Sequence, residues 1–246
     1  MKQLIRKLIG SNIDVRKGEW TLVLLMVSNY FFILLAYYLL KPTRDALFLV
    51  NVSPQQLPFI YILIALISAP FVALYNRVSN KAKFNNVVAY ATLVIIATLV
   101  LIKFLMRYEI AAIYYFFYIW VSVLGALIVS QFWIFANTVF DASQAKRIFS
   151  LLGIGGIAGS IVGSQLTTIL VDKNGPGYSS EDLLYFASAF LAATVVIFKI
   201  IWNKRFKDGI PPPTKPKLNE DRRENAWKLF KTVKRSRYLL LIIAIA

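Results

Sequence analysis

The chain has 246 residues, 58% of them hydrophobic and only 16% charged, yet it carries 28 Lys and Arg against 12 Asp and Glu. No soluble domain of this length needs so much apolar surface, and its gathering into blocks long enough to cross lipid makes this a multi-pass membrane protein. The absence of Cys and His removes disulfides, thiol nucleophiles, the commonest metal ligand and the usual near-neutral acid or base.

Residues 1–19 carry Lys2, Arg6, Lys7, Arg16 and Lys17, with Leu4, Ile5, Leu8 and Ile9 at helical spacing. This predicts a cytoplasmic amphipathic segment lying on the membrane. No short apolar core with a small-residue cleavage site follows, so a secretory signal peptide is not expected. Six apolar blocks come next, at 20–50, 55–75, 87–106, 111–140, 148–171 and 183–203, joined by short connectors.

The first block is interrupted once, by Lys41-Pro42-Thr43-Arg44-Asp45. Ionisable residues at membrane depth are costly unless they face a cavity, a partner or a substrate. At about 100° per residue, Lys41, Arg44 and Asp45 project from one broad face, which Tyr30, Leu34 and Tyr37 continue toward the N-terminus. Pro42 removes a backbone donor and is expected to kink the helix. One reading is a cavity with a positive lining, suited to an anionic solute. The other ends the span near Leu40 and lets the charges snorkel at the interface. Ala46 to Val50 argues for the first, because a helix already in water has no need of another apolar turn.

The fourth block closes with Ser130-Gln131-Phe132-Trp133-Ile134-Phe135-Ala136-Asn137, which places two amides and an indole near its end. Asp141 and Gln144 fit a capping box opening the fifth helix. Lys146 and Arg147 then sit in its first turn, where the helix dipole disfavours cations, so they call for a partner; Asp141 and a lipid phosphate are the nearest candidates. A capped helix start with positive-inside charges explains the same residues without any gating role. Gly155, Gly159 and Gly163 repeat every four residues and form a face for close helix packing. Gly153 to Ala158 matches a loose dinucleotide fingerprint, but the required strand and soluble βαβ unit are missing around it.

Residues 204–237 form a basic connector, stiffened by Pro211, Pro212, Pro213 and Pro216. Ala226, Leu229, Phe230 and Val233 make an apolar stripe among cations, which predicts an amphipathic helix on the anionic inner leaflet rather than a nucleic-acid site. Residues 238–246 read as the truncated start of a seventh helix. With the N-terminus cytoplasmic, the inside segments hold 22 Lys and Arg and the outside segments 3. That asymmetry orients the chain and explains the net charge of +16.

Phe132-Trp133-x-x-Ala136-Asn137, then Phe140-Asp141-x-x-Gln144-Ala145-Lys146-Arg147-x-Phe149, and then the glycine ladder, resemble the bacterial and plastid nucleotide-translocase family of ADP/ATP carriers. That family is similar in build to the major facilitator superfamily. Lys41-Pro-Thr-Arg44-Asp45 stands where its first helix carries a basic-x-Thr-basic-Asp motif. The resemblance covers helices one to six, about the N-terminal half of a twelve-helix carrier. It gives Arg44 the position of the family's substrate-contacting lysine and Lys41 that of the neighbouring cation. One departure stands out: the family's exchangers carry an acid within helix four, and Ala111 to Phe140 contains none.

The expected fold is therefore an all-α membrane protein, a six-helix bundle of two inverted three-helix repeats followed by the start of a seventh helix. The expected function is transport of an organic anion in a bacterial inner membrane. By the resemblance this is ADP/ATP exchange, by alternating access. Lys41, Arg44, Asp45, Tyr37, Gln131 and Asn137 are the candidate substrate residues, and Asp141, Lys146 and Arg147 the candidate gating group. The expected partners are an anionic small molecule, the lipid bilayer, and a C-terminal half or second copy. No catalytic residue, metal or cofactor is assigned. The missing acid keeps open a non-transporting scaffold or a carrier of another anion.

Overall fold

The computed structural model describes residue 16 and residues 18–81, 84–172 and 175–206. Among them the order is α1 (Trp20–Asn51), a 3-10 turn (Pro54–Gln56), α2 (Leu57–Lys81), α3 (Phe84–Leu105), a second 3-10 turn (Met106–Tyr108), α4 (Ala111–Val139), α5 (Ala142–Val171) and α6 (Leu183–Phe206). The described residues contain no strand. All six helices are long and apolar enough to cross a membrane. Only a helix or a closed barrel satisfies its own backbone in lipid, and these helices do so within each segment. Roughly 20 residues cross the hydrocarbon core. At 32, 29 and 30 residues, α1, α4 and α5 exceed that length, and they carry the polar groups considered below.

Local chemistry sets the boundaries. Ser53 accepts a hydrogen bond from the Gln55 N–H at 3.4 Å, with Pro54 opening the turn before α2. Glu109 takes a left-handed backbone at φ 52° and reverses the chain between α3 and α4. Asp141 and Gln144 form the capping box of α5, the Gln144 side chain accepting from the Asp141 N–H at 3.1 Å. α1 runs through Pro42 as one helix, and Thr43 Oγ1 donates to the Leu39 carbonyl at 2.7 Å one turn back.

α1 is the central helix. It packs most extensively against α5, then α6, then α4, while α3 lies against α6 and α2 chiefly against α4. Exchanging α1 with α4, α2 with α5 and α3 with α6 carries α1–α5 onto α4–α2 and keeps α1–α4 and α3–α6, but it carries the extensive α1–α6 packing onto α4–α3, which is slight. Two three-helix repeats related by a pseudo-two-fold would give the first of these correspondences but not the imbalance of the last. Met26, Ala36, Leu39 and Phe48 of α1 are fully buried. By contrast, Phe59, Tyr61, Ile62 and Leu66 of α2 and Ile157, Ile161 and Ile169 of α5 are exposed. Apolar side chains in those places suit lipid or another apolar helix surface.

Polar contacts tie the helix ends and one point of the interior. The Asn29 amide donates to the Thr194 carbonyl at 3.0 Å, joining α1 to α6. Arg205 Nε donates to the Val139 carbonyl at 3.0 Å, so α6 satisfies one of the orphan carbonyls at the end of α4. At the opposite end Lys103 of α3 pairs with Glu181 at 2.9 Å and Asp182 at 3.0 Å, just before α6. Hydrogen bonds from Ser179, then Lys103, hold the Asp182 carboxyl below its usual range against the opposing effect of burial.

The amphipathic segment expected over 1–19 falls largely outside the described residues. So do the basic connector beyond residue 206 and the seventh-helix start at 238–246.

Candidate functional site

The site is built on the seam between α1 and α5. A Cβ on Gly155 would approach the Val27 carbonyl oxygen to 2.7 Å, and one on Gly163 would approach the Leu35 carbonyl oxygen to 2.5 Å. A Cβ on Gly159 would collide with the Phe31 carbonyl. Three glycines four residues apart thus meet three α1 carbonyls four residues apart, so the two backbones run in near contact over two turns. On the neighbouring face of α5, Gly156 makes room for the Tyr30 ring. Tyr30 stacks on Phe132 at 4.0 Å and meets Trp133 edge-on at 5.7 Å, and Trp133 in turn meets Phe149 at 5.3 Å. The α1 segment that follows, carrying residues 37–45, is held by α4 on one side and α5 on the other.

Arg44 faces α4. It is buried, with Nε 3.2 Å from Asp45 Oδ1, Nη1 donating to Ser122 Oγ, and its guanidinium 4.6 Å above the centre of the Tyr118 ring. The Ser122 hydroxyl donates in turn to the Tyr118 carbonyl at 2.7 Å, and the Tyr118 hydroxyl lies 3.3 Å from that of Tyr61 on α2. A buried guanidinium is tolerable when paired, hydrogen-bonded and stacked, and here all three conditions are met.

Lys41 behaves differently. It is exposed, its Nζ 5.6 Å from the Tyr38 ring centre, in an open cleft of about 400 Å³ whose far wall is α5. Asp45 reaches the same cleft and is its acid, alongside Tyr38, Pro42, Ser164, Thr167 and Thr168. Since Asp45 is already engaged by Arg44, the charge left facing the cleft is that of Lys41. The expectation that Lys41, Arg44 and Asp45 work as one face therefore needs correction. Positions three apart on a helix differ by about 60°. With α4 and α5 both flanking α1, that angle sends Arg44 into one neighbour and Lys41 toward the other.

The remaining sequence-derived candidates are dispersed. Tyr37 packs its ring over Gly125 of α4, edge-on to Tyr38 at 5.6 Å. Gln131 is buried and donates to the Tyr75 hydroxyl at 2.5 Å, lining a small, partly open cavity of about 30 Å³ with Asn29, Thr92 and Thr194. Asn137 is exposed and donates to the Trp133 carbonyl of its own helix at 2.8 Å. Neither amide lines the Lys41 cleft.

Asp141, Lys146 and Arg147 lie at the other end of α5. Because that helix opens at Ala142, the two cations fall in its second turn rather than its first. Arg147 Nη2 is 3.8 Å from Glu19 Oε1, and Gln144 Nε2 donates to the same oxygen at 2.7 Å. An acidic neighbour of Arg147 is thus Glu19, at the entrance of α1. The Gln144 hydrogen bond, with smaller help from Arg16 and Arg147, holds the Glu19 carboxyl below its usual range.

Four contributors escaped the sequence reading: Asn29, Ser122, Tyr118 and Glu19. A lone Asn or Ser in an apolar run carries no periodic signal, and Glu19 meets residues 125 and more positions away.

No curated protein and no solved structure matches the chain. A family model described as TLC ATP/ADP transporter matches residues 100–246, a stretch that begins in α3 and takes in α4, α5 and α6. The match spans more than half of the chain and contains the α4–α5 corner and the glycine seam, which makes this chain a member of the TLC ATP/ADP transporter family.

Proposed function

We infer that the protein transports a nucleotide, with ADP/ATP exchange as its leading form, by alternating access of a central site to the two sides of a bacterial inner membrane. The N-terminus is placed in the cytoplasm, in keeping with the concentration of Lys and Arg in the loops on that side. The observation that carries the reading is an exposed cation, Lys41, in an open cleft at membrane depth, where the half-exposed Asp45 is paired with the buried Arg44 and the three charges sum to a positive one. An anion entering it exchanges hydration for a charge-assisted contact. Membership of a nucleotide-transporter family supplies the class of anion. An open cleft also needs a second wall, and a further six-helix bundle, as a C-terminal half or a second copy, would provide it.

The full-length protein in liposomes loaded with ATP should take up labelled ADP, and uptake should stop when the interior holds no nucleotide. Uptake that ignores internal nucleotide would overturn exchange while leaving transport. A second reading, a carrier of another anion or a non-transporting scaffold, draws on one specific observation: Arg44's hydrogen-bond partner on α4 is neutral Ser122 rather than an acid. Absence of any nucleotide uptake or binding would favour it.

A further inference from the structure

We propose that Tyr118 is a positioning residue for substrate binding: its ring face holds the Arg44 guanidinium so that Nη2 is presented to the anion. The proposal rests on the nucleotide-carrier reading above and names what aims the arginine that meets the phosphate.

Three observations lead there. First, Arg44 has donors to spare. A guanidinium carries five N–H groups, and the described residues engage two of them, at Asp45 and Ser122. Nη2 takes neither of those partners. No buried side-chain nitrogen among the described residues lacks a hydrogen bond, so Nη2 must reach open space. The guanidinium is thus fixed at Nε and Nη1, with Nη2 left for a charge-assisted contact to an anion.

Second, the ring beneath it is held firmly. Tyr118 is buried with Phe48 and Ile60 in a small apolar cluster that joins α1, α2 and α4. This cluster stands apart from the main core. The Phe48 ring meets that of Tyr118 at 5.0 Å, and the Tyr118 hydroxyl donates to Tyr61 of α2 at 3.3 Å. A guanidinium 4.6 Å above the centre of such a ring lies within cation–π range, and that attraction is greatest where water is excluded.

Third, α4 is in register to do this. Tyr118, Ser122 and Gly125 follow one another at i, i+4 and i+7 and share one face of α4. Gly125 seats the Tyr37 ring, since a Cβ there would collide with it. The same face therefore receives Tyr37 at one end and Arg44 at the other, which fixes α1 against it. An arginine already held by Asp45, Ser122 and Tyr118 has little rotamer freedom left to lose when a ligand arrives.

The test is equilibrium binding of pyrophosphate, ADP and adenosine to the purified full-length protein, with melting followed in parallel. Tyr118→Leu should weaken pyrophosphate and ADP binding about tenfold, the scale of a desolvated cation–π contact, and leave adenosine unchanged. Tyr118→Phe keeps the ring face and should restore the affinity. In an Arg44→Gln background Tyr118→Leu should cause no further loss, because a positioning residue acts only through the group it positions. If Tyr118→Leu melts early, phenylalanines with increasing ring fluorination at position 118 decide the matter. Fluorine drains negative charge from the ring face at nearly constant shape, so pyrophosphate affinity should fall step by step. Three results would each overturn the proposal while leaving the carrier reading intact: affinity indifferent to fluorination, equal losses from Tyr118→Leu with and without Arg44, or an Arg44→Gln protein that binds pyrophosphate like wild type. Should wild type bind neither ADP nor pyrophosphate, the nucleotide reading fails and takes this inference with it.

Discussion

At Arg44 a single side chain reconciles a membrane helix with a permanent positive charge, and it does so only with three partners in place. Arg44→Gln removes the ion pair with Asp45 and the hydrogen bond to Ser122, and is expected to cost about 1.5–3 kcal/mol of stability. Ser122→Ala removes a single acceptor and should cost less, about 1 kcal/mol. Arg44→Lys keeps the charge but not the planar fork, so it cannot meet Asp45, Ser122 and Tyr118 together and should fall between wild type and Gln. Lys41→Gln, at an exposed position, should leave the melting temperature unchanged. Thermal unfolding in detergent separates these cases, and an Arg44→Gln protein as stable as wild type would remove the structural role assigned to Arg44. Glu19 offers a second test, by pH. Its folded carboxyl lies below the reference value of 4.5, chiefly through the Gln144 hydrogen bond. The contact therefore stabilises the fold above that value and is lost as pH falls through the lower, folded one. The stability gap between wild type and Glu19→Gln should be present near neutrality and close on acidification.

The α1–α5 seam is the element on which the site depends, and its glycines make different demands. A Cβ at Gly159 would collide with the Phe31 carbonyl, whereas one at Gly153 would meet nothing within 4 Å. Gly159→Ala should therefore destabilise by about 1–3 kcal/mol through overpacking. Gly153→Ala should be neutral or stabilising by about 0.5–1 kcal/mol, because alanine is the better helix former. Melting curves of the two variants, side by side, would expose any error in the helix register. Much of this level was legible in the sequence. The apolar blocks marked all six helices, the spacing of Gly155, Gly159 and Gly163 marked a packing face, and Asp141 with Gln144 marked the start of α5. What periodicity does not carry is which neighbour each face meets. Lys41 and Arg44 looked alike until α4 and α5 were seen to flank α1 on different sides. Glu19 looked like a loop charge because its partners come from a helix made much later. Gln131 and Asn137 looked like substrate groups because amides in an apolar helix invite that reading, yet one bonds Tyr75 and the other its own backbone.

For the molecule as a whole, the orientation can be tested in a chain that has no cysteine of its own. Asn80→Cys should react with a membrane-impermeant reagent only from the cytoplasm and Pro176→Cys only from outside. Labelling on the reverse sides would invert the topology. The dependence of α1 on helices that follow it in the chain also bears on how the protein comes to be made. α1 leaves the ribosome first, yet the partner of Asn29 is in α6, that of Glu19 in α5, and that of Arg44 in α4. Until those later segments emerge, the first helix carries an amide without its α6 partner and a guanidinium with only Asp45 of its own helix, in a solvent that tolerates neither well. Synthesis therefore imposes a waiting period in which α1 must stay beside the insertion machinery, remain near the interface, or borrow temporary partners. A pause in translation before α6 would prolong that exposure. Arrested nascent chains ending before residue 183 should accordingly be cleared by membrane quality control faster than chains that include α6.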